Sequence, residues 1–395
     1  MSYQPTLLEF IASENAREGE KAKSGLGQLH DIYFPAISTY SGGGLMDIGF
    51  AQEGIIPVLA VEIDTDFSHA YEQAAVPLIK ASGNTSSSVA VKVLNEDLTG
   101  IDAKRLAGLA EDLSFANHFG VPVTGVLGGP PCQDFSIGGK NLGVKGDRGK
   151  LVFDFIEKVR EMKPLFFVFE NVKGLYTTKK HRENAFDKLV LAFREVGYLV
   201  QYRIINALEY GVPQDRERVF IVGFRKDLSV AYRAFRWPSP KYPGVKALPW
   251  PAKNPVGAEV QTDPRLPREL MVITAFQGVD HLPNQEDFFQ PRSPKFWQIE
   301  EGDDSRKSFK RLHRYRYSPT VAYGNNEVHL HPVENRRITV REALRLQTAP
   351  DTYVLPGDMS LTKKFKLVSN GVPVLLSRLL ARSIKKALVS ALEQG

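Results

Sequence analysis

Pro35-Ala36-Ile37-Ser38-Thr39-Tyr40-Ser41-Gly42-Gly43-Gly44, followed by Val58-Leu59-Ala60-Val61-Glu62-Ile63-Asp64, decides the fold of this chain. An apolar run reads as a buried strand and breaks into three glycines before a helix-compatible segment. A second apolar run then ends on carboxylates. This is how a doubly wound α/β sheet begins, with a ligand at the carboxyl ends of its strands. The glycines let a nucleotide-like group approach the backbone. Glu62 is placed to take both hydroxyls of a ribose, although a solvated strand-end acid would look the same. Asp97, after Val91-Lys92-Val93-Leu94, is a third position in the series and could receive an adenine amino group. The three in order point to an adenosine-type cofactor.

From Pro35 to about Gly223 short apolar runs alternate with helical stretches, the pattern of a doubly wound sheet. Strands are expected at Pro35 to Tyr40, Val58 to Ile63, Val123 to Leu127, Phe166 to Phe169 and Val219 to Phe224, with helices at Leu151 to Met162 and Asn184 to Val196. Trp237 to Pro267 then holds eight prolines, which disfavour long helices and central strands. We therefore expect four segments: an N-terminal extension (1–30), a first catalytic part (31–225), a second, smaller irregular domain (226–332), and a C-terminal part (333–395). In the last, Thr339 to Gln347 and Val372 to Leu392 have helical periodicity.

The single cysteine among 395 residues, Cys132, lies in Gly128-Gly129-Pro130-Pro131-Cys132-Gln133-Asp134. Two glycines and two prolines lift the backbone out of the sheet and hold the next residue in one place. A core cysteine needs no such pedestal; a thiol that must meet a substrate does. One cysteine excludes a disulfide framework and a cysteine-rich zinc site, and no metal is expected. No apolar stretch approaches the about 20 residues of a membrane span, so a soluble, cytoplasmic protein is expected. The net charge of +6 permits a polyanionic partner.

Phe166-Phe167-Val168-Phe169-Glu170-Asn171-Val172 is a buried-strand pattern that ends on a carboxylate, on the same sheet edge as Cys132. Gln214-Asp215-Arg216-Glu217-Arg218 places two arginines on one side of an extended segment, where they repel unless something anionic or electron-rich lies between them. A salt-bridged strand end using Asp215 and Glu217 is the alternative. Ile137 to Lys150, rich in glycine and carrying Lys140, Lys145 and Arg148, suits a lid closing on phosphates, or a plain surface loop. Arg306 to Tyr317 interleaves cations with aromatics and is the stretch of the middle segment best suited to a polyanion, with Arg311, Arg314 and Arg316 as its candidates. On a duplex nucleic acid each phosphate contact should add about 0.9 to the salt slope of binding.

These motifs, with Arg337 to Gln347 and Ser369 to Pro373, resemble in kind and order those of the DNA (cytosine-5) methyltransferases of bacteria and phage, over about Ile37 to Ile384. The resemblance implies a Rossmann-like methyltransferase sheet using S-adenosylmethionine, with the middle domain recognising the target. By the same resemblance Tyr40, Gly42, Gly44, Glu62, Ile63, Asp97, Pro131 and Asn370 line the cofactor. Cys132 is then the nucleophile, Glu170 holds the cytosine ring, Arg218 binds its carbon-2 carbonyl, and Arg216 steadies Glu170 or a flanking phosphate. Gln133, Ser136, Lys140 and Arg148 would contact DNA. The implied partners are double-stranded DNA and a companion restriction endonuclease, with no membrane and a monomeric state. A tRNA methyltransferase on the same scaffold is the alternative, against which the middle segment lacks a Cys-Phe-Thr sequence. Departures from the family pattern are Leu45 for a glycine, Asp134 beside the nucleophile, Ser369 for the glycine before Asn370, and Val374 for a second proline.

Overall fold

The computed structural model describes residues 32–82, 89–117, 122–131, 147–177, 185–290, 294–306, 308–320, 323 and 328–394, with the backbone alone at 147–150 and 295. Cys132, Gln133, Asp134, Ser136 and Lys140 lie outside the described residues, as does the side chain of Arg148.

Seven strands form one sheet: Phe34–Thr39 (β1), Ile55–Val61 (β2), Lys92–Leu94 (β3), Gly125–Gly128 (β4), Phe166–Val172 (β5), Tyr198–Asn206 (β6) and Glu217–Arg225 (β7). Their order is β3-β2-β1-β4-β5-β7-β6. The first five are mutually parallel, while β7 runs antiparallel to both β5 and β6. That reversal matters for the site: the beginning of β7 lies at the same edge as the ends of the parallel strands. Val172 accordingly pairs with Arg218 and Glu170 with Phe220.

Helices cover both faces, so β1, β2 and β4 are buried along their whole length rather than in alternation. Leu45–Ala51 (α1), Thr65–Ala70 (α2), Ala103–Ala116 (α3), Asp147–Met162 (α4) and Asp187–Glu195 (α5) are the main helices of the first part. Successive residues of β5 serve opposite cores: Phe167 and Phe169 join Phe155 and Phe193 on one side, Phe166 and Val168 join Phe50 and Leu127 on the other. The ring of Phe167 stacks on Phe193 at 4.2 Å, and Phe155 meets Phe169 edge-on at 5.6 Å.

The chain returns to this sheet through Val340–Leu346 (α6), Leu361–Asn370 (α7) and Val374–Gln394 (α8). Thr339 and Glu342 form a capping box that starts α6. Leu376, Leu380 and Ile384 of α8 enter the same core as Phe50, and a Cβ at Gly49 would stand 2.5 Å from the Val374 carbonyl oxygen. Between β7 and α6 the chain is irregular, with short helical turns and one parallel pair, Phe309–Arg311 (β8) with Val328–Leu330 (β9).

Several expected boundaries shift for identifiable reasons. The helix α4 begins at Asp147, inside the stretch read as a loop. The expected helix from Val372 starts after Pro373, whose carbonyl accepts the Ser377 amide at 3.0 Å. Among the elements not expected, three have visible reasons. β3 has only three residues, the edge strand β6 mixes Gln201 and Arg203 with apolar residues, and α7 is masked by its lysines.

Candidate active site

Tyr40 follows β1 with φ +53°, a conformation sparsely populated by residues other than glycine. Its side chain is fixed from a distant helix: the hydroxyl lies 3.1 Å from the Leu151 carbonyl oxygen and 3.4 Å from an Asp154 carboxylate oxygen. Gly42 and Gly44 also have positive φ, 55° and 79°. A Cβ at Gly42 would meet open space, whereas one at Gly43 would strike Leu367 and the Tyr353 hydroxyl, and one at Gly44 would strike Ala75 and Tyr71. The loop is thus packed on its far side and free at Gly42. The Tyr353 hydroxyl donates to the Gly43 carbonyl at 2.7 Å, so the C-terminal part holds the loop in place.

Glu62 stands directly after β2, and its two carboxylate oxygens accept the amides of Gly42 and Asp64, each at 2.8 Å. Burial pushes its carboxyl up, and the backbone donors oppose that. Ile63 beside it is 62% exposed, an apolar side chain open at the sheet edge. Asp97 follows β3, accepts the Thr99 amide at 3.0 Å and faces solvent, as does Asn370 at the end of α7. This gives a ring of candidates: Tyr40, Gly42, Gly44, Glu62, Ile63, Asp97 and Asn370. These groups suit an adenosine, with backbone approach at Gly42, remaining lone pairs on Glu62 for hydroxyls, and the exposed Ile63 for the face of a base.

On the other side of β4, Gly129, Pro130 and Pro131 leave the sheet. Asn171 donates to the Pro130 carbonyl at 3.1 Å, and a Cβ at Gly129 would sit 3.0 Å from a Glu170 carboxylate oxygen. The Glu-Asn pair at the end of β5 therefore does two jobs. Glu170 lies against the pedestal, and Asn171 ties the pedestal down. Sequence reasoning quoted Asn171 without assigning it a task; its place next to a strand-end acid was the only signal.

Glu170 is 9% exposed, and one of its carboxylate oxygens lies 3.0 Å from Nε of Arg218. Burial raises its pKa, and Arg218 and then Arg216 pull it back. Burial and mutual repulsion likewise lower Arg216, while Arg218 is lowered by burial against the pull of Glu170. The net direction for Glu170 is upward, because desolvation of the nearly dry carboxyl outweighs the pull of the two guanidiniums. Arg218 also lines an open cleft of about 320 Å³ with Val172, Lys173, Gly174, Asp215, Glu217 and Thr320.

Arg216 acts on Glu170 by its charge, the first of its two expected roles, and departs from the second. It is fully buried, precedes β7, and donates to the carbonyls of Ser369 and Gly371, both at 2.8 Å. It cannot reach a flanking phosphate; it pins the backbone on either side of Asn370. Leu45, the residue in place of a glycine, is buried, and a Cβ at Gly371 would lie 2.5 Å from its side chain. The bulk at 45 is thus accommodated by the glycine at 371.

Arg311 is a second correction. Only 1% exposed, it donates to the carbonyls of Ile299, His331, Glu334 and Phe296 at 2.6–2.8 Å, which makes it an internal strut rather than a DNA contact. Arg314 is held by both carboxylate oxygens of Glu301, at 2.8 and 3.0 Å, and by the Ala258 carbonyl. Arg316 is the most open of the three, 27% exposed with Asp304 at 3.5 Å.

The family model for C-5 cytosine-specific DNA methylases matches residues 34–386. The chain is 42% identical over 366 residues to the Type II methyltransferase M.NmeDI of Neisseria meningitidis serogroup C, covering 90% of this chain and 84% of that one. It is 30% identical to the Type II methyltransferase M.FnuDI of Fusobacterium nucleatum, covering 89% and 94%. Among solved structures it resembles a protein described as a prophage-encoded DNA modification methyltransferase of E. coli. The TM-score is 0.59 at 21% identity, over 90% of this chain and 99% of that one, a likeness of fold. The chain belongs to the C-5 cytosine-specific DNA methylase family. It is a DNA (cytosine-5) methyltransferase, and its methyl donor is S-adenosylmethionine.

Proposed function

We propose that this enzyme methylates cytosine within a specific duplex sequence, acting on a base turned out of the helix, as the modification partner of a restriction endonuclease. The observation that carries the site assignment is the dry Glu170–Arg218 pair lying against the Gly129–Pro131 pedestal, one residue short of the only thiol. Cytosine carbon-5 is a weak nucleophile. Addition of the Cys132 thiolate at carbon-6 turns the ring into an enamine whose carbon-5 can take a methyl group. Bound S-adenosylmethionine supplies that methyl as a sulfonium. Glu170, held up by burial, keeps a proton on ring nitrogen-3 while Arg218 steadies the carbon-2 oxygen, so that the ring accepts the thiolate. Loss of the carbon-5 proton and expulsion of the thiolate release the product. Turning the base out costs roughly a few kcal/mol.

The cofactor residues are Tyr40, Gly42, Gly44, Glu62, Ile63, Asp97, Pro131 and Asn370. Gln133, Ser136, Lys140 and Arg148 face DNA from the segment after Cys132, and residues 226–332 recognise the target. Of Arg311, Arg314 and Arg316 there, Arg316 is the best remaining contact. The DNA reading is favoured over tRNA because M.NmeDI and M.FnuDI both bear Type II names and match across most of the chain. Mapping 5-methylcytosine in the DNA of an expression host, with purified tRNA assayed in parallel, tests activity, target and substrate together. Cys132→Ala should abolish methylation and spare DNA binding; persistent methylation by that variant would sink the mechanism.

A further inference from the structure

On α4, Asp154 and Lys158 stand one turn apart and are paired at 3.5 Å, with side chains 16% and 9% exposed. Each also reaches a different wall of the cofactor ring. Asp154 shares with the Leu151 carbonyl the single hydroxyl proton of Tyr40. Lys158 donates to the Ile101 carbonyl at 2.6 Å, and Ile101 closes the short turn Leu98–Gly100 that Asp97 opens. One helix thereby ties the glycine loop, through Tyr40, to the turn that presents Asp97.

Two features make this more than ordinary packing. A tyrosine at φ +53° persists only where its surroundings over-determine it, and here the phenolic oxygen is the anchored end. A buried ammonium requires both an opposite charge and an acceptor, and Lys158 has one of each. Burial and the nearby Asp97 carboxylate raise Asp154, opposed by Lys158 and the Tyr40 hydroxyl.

We propose that Asp154 and Lys158 are positioning residues for S-adenosylmethionine, fixing the separation between Tyr40 and the Asp97 turn and so the width of the adenosine pocket. This rests on the assignment of Tyr40 and Asp97 to the cofactor. The test uses the full chain and its Tyr40→Phe, Asp154→Asn, Lys158→Met, Tyr40→Phe/Asp154→Asn and Tyr40→Ala variants. Calorimetry gives the S-adenosylmethionine dissociation constant; kinetics give kcat and the KM for DNA. Tyr40→Phe and Asp154→Asn should each weaken cofactor binding about three- to tenfold. The double variant should be no weaker than the worse single, because Tyr40→Phe already removes the hydroxyl through which Asp154 acts. Lys158→Met should weaken cofactor binding likewise, and in Asp154→Asn and Lys158→Met kcat at saturating cofactor and the DNA KM should stay within about twofold. If Asp154→Asn or Lys158→Met fails to fold, Tyr40→Phe decides alone. Unchanged cofactor affinity in Tyr40→Phe while Tyr40→Ala loses it overturns the positioning role; unchanged affinity in Tyr40→Ala as well overturns the cofactor assignment itself.

Discussion

Asp47, on α1 directly after the glycine loop, is 1% exposed and accepts the Tyr71 hydroxyl at 2.7 Å. Burial pushes its pKa from an ordinary 3.8 up to about 6, against the pull of the Ser38 and Tyr71 hydroxyls. The folded protein therefore binds this proton more tightly than the unfolded chain. Near pH 3 the carboxyl is neutral in both states and costs nothing. As pH rises from 3.8 to about 6 the unfolded chain releases a proton that the folded one keeps, and stability falls; above that the penalty is constant. The shift from 3.8 to about 6 corresponds to a penalty of about 3 kcal/mol. Asp47→Asn keeps an acceptor for Tyr71 and removes the charge. It should raise stability at pH 7.5 by about 1–3 kcal/mol, less than the whole penalty because the amide must also be desolvated. Urea unfolding of both proteins from pH 4.5 to 8, with unchanged m-values, would show the difference growing with pH and levelling above about 6. A pH-independent difference between the two proteins would refute the reasoning.

Glu170→Gln removes the acid at ring nitrogen-3 and should lower kcat by about 10²- to 10⁴-fold with little change in S-adenosylmethionine affinity, read by single-turnover kinetics and calorimetry. Gly129→Ala puts a methyl 3.0 Å from a Glu170 oxygen, the movable end of a side chain. The fold should survive and turnover should drop by about 10- to 100-fold; wild-type turnover would mean that the placement of Glu170 is not critical. Arg311→Leu should cost about 3–5 kcal/mol of stability, since four buried carbonyls lose their donor, while leaving the salt slope of DNA binding unchanged. Arg316→Ala should instead reduce that slope by about one unit with little effect on urea unfolding.

The sheet was legible where strands are buried on both faces, because Phe166–Phe169 and Val58–Val61 can be little else. It was illegible at the edges: Gln201 and Arg203 in β6 need only one covered face and so carry no continuous apolar run. Site residues were legible where chemistry sits at a strand end. Glu62, Glu170 and Arg218 do come to one edge of the sheet, the last only because β7 is antiparallel. The roles of Arg216, Arg311, Asp154 and Tyr353 were hidden because each is defined by a partner distant in sequence. Arg216 meets Ser369 and Tyr353 meets Gly43, and no local pattern announces such a pairing. A basic stretch on paper says nothing about which of its guanidiniums turn inward onto carbonyls.

The tie between the Tyr353 hydroxyl and the Gly43 carbonyl spans 310 residues, and Arg216 waits for the carbonyls of Ser369 and Gly371. During synthesis at about 5–20 residues per second, the glycine loop leaves the ribosome roughly 15–60 s before the side chain that secures it. A nascent chain can assemble much of its sheet in that interval, yet the donor pocket has no far wall. The glycine loop and the backbone on either side of Asn370 therefore reach their final form only after Tyr353 and Gly371 have been made.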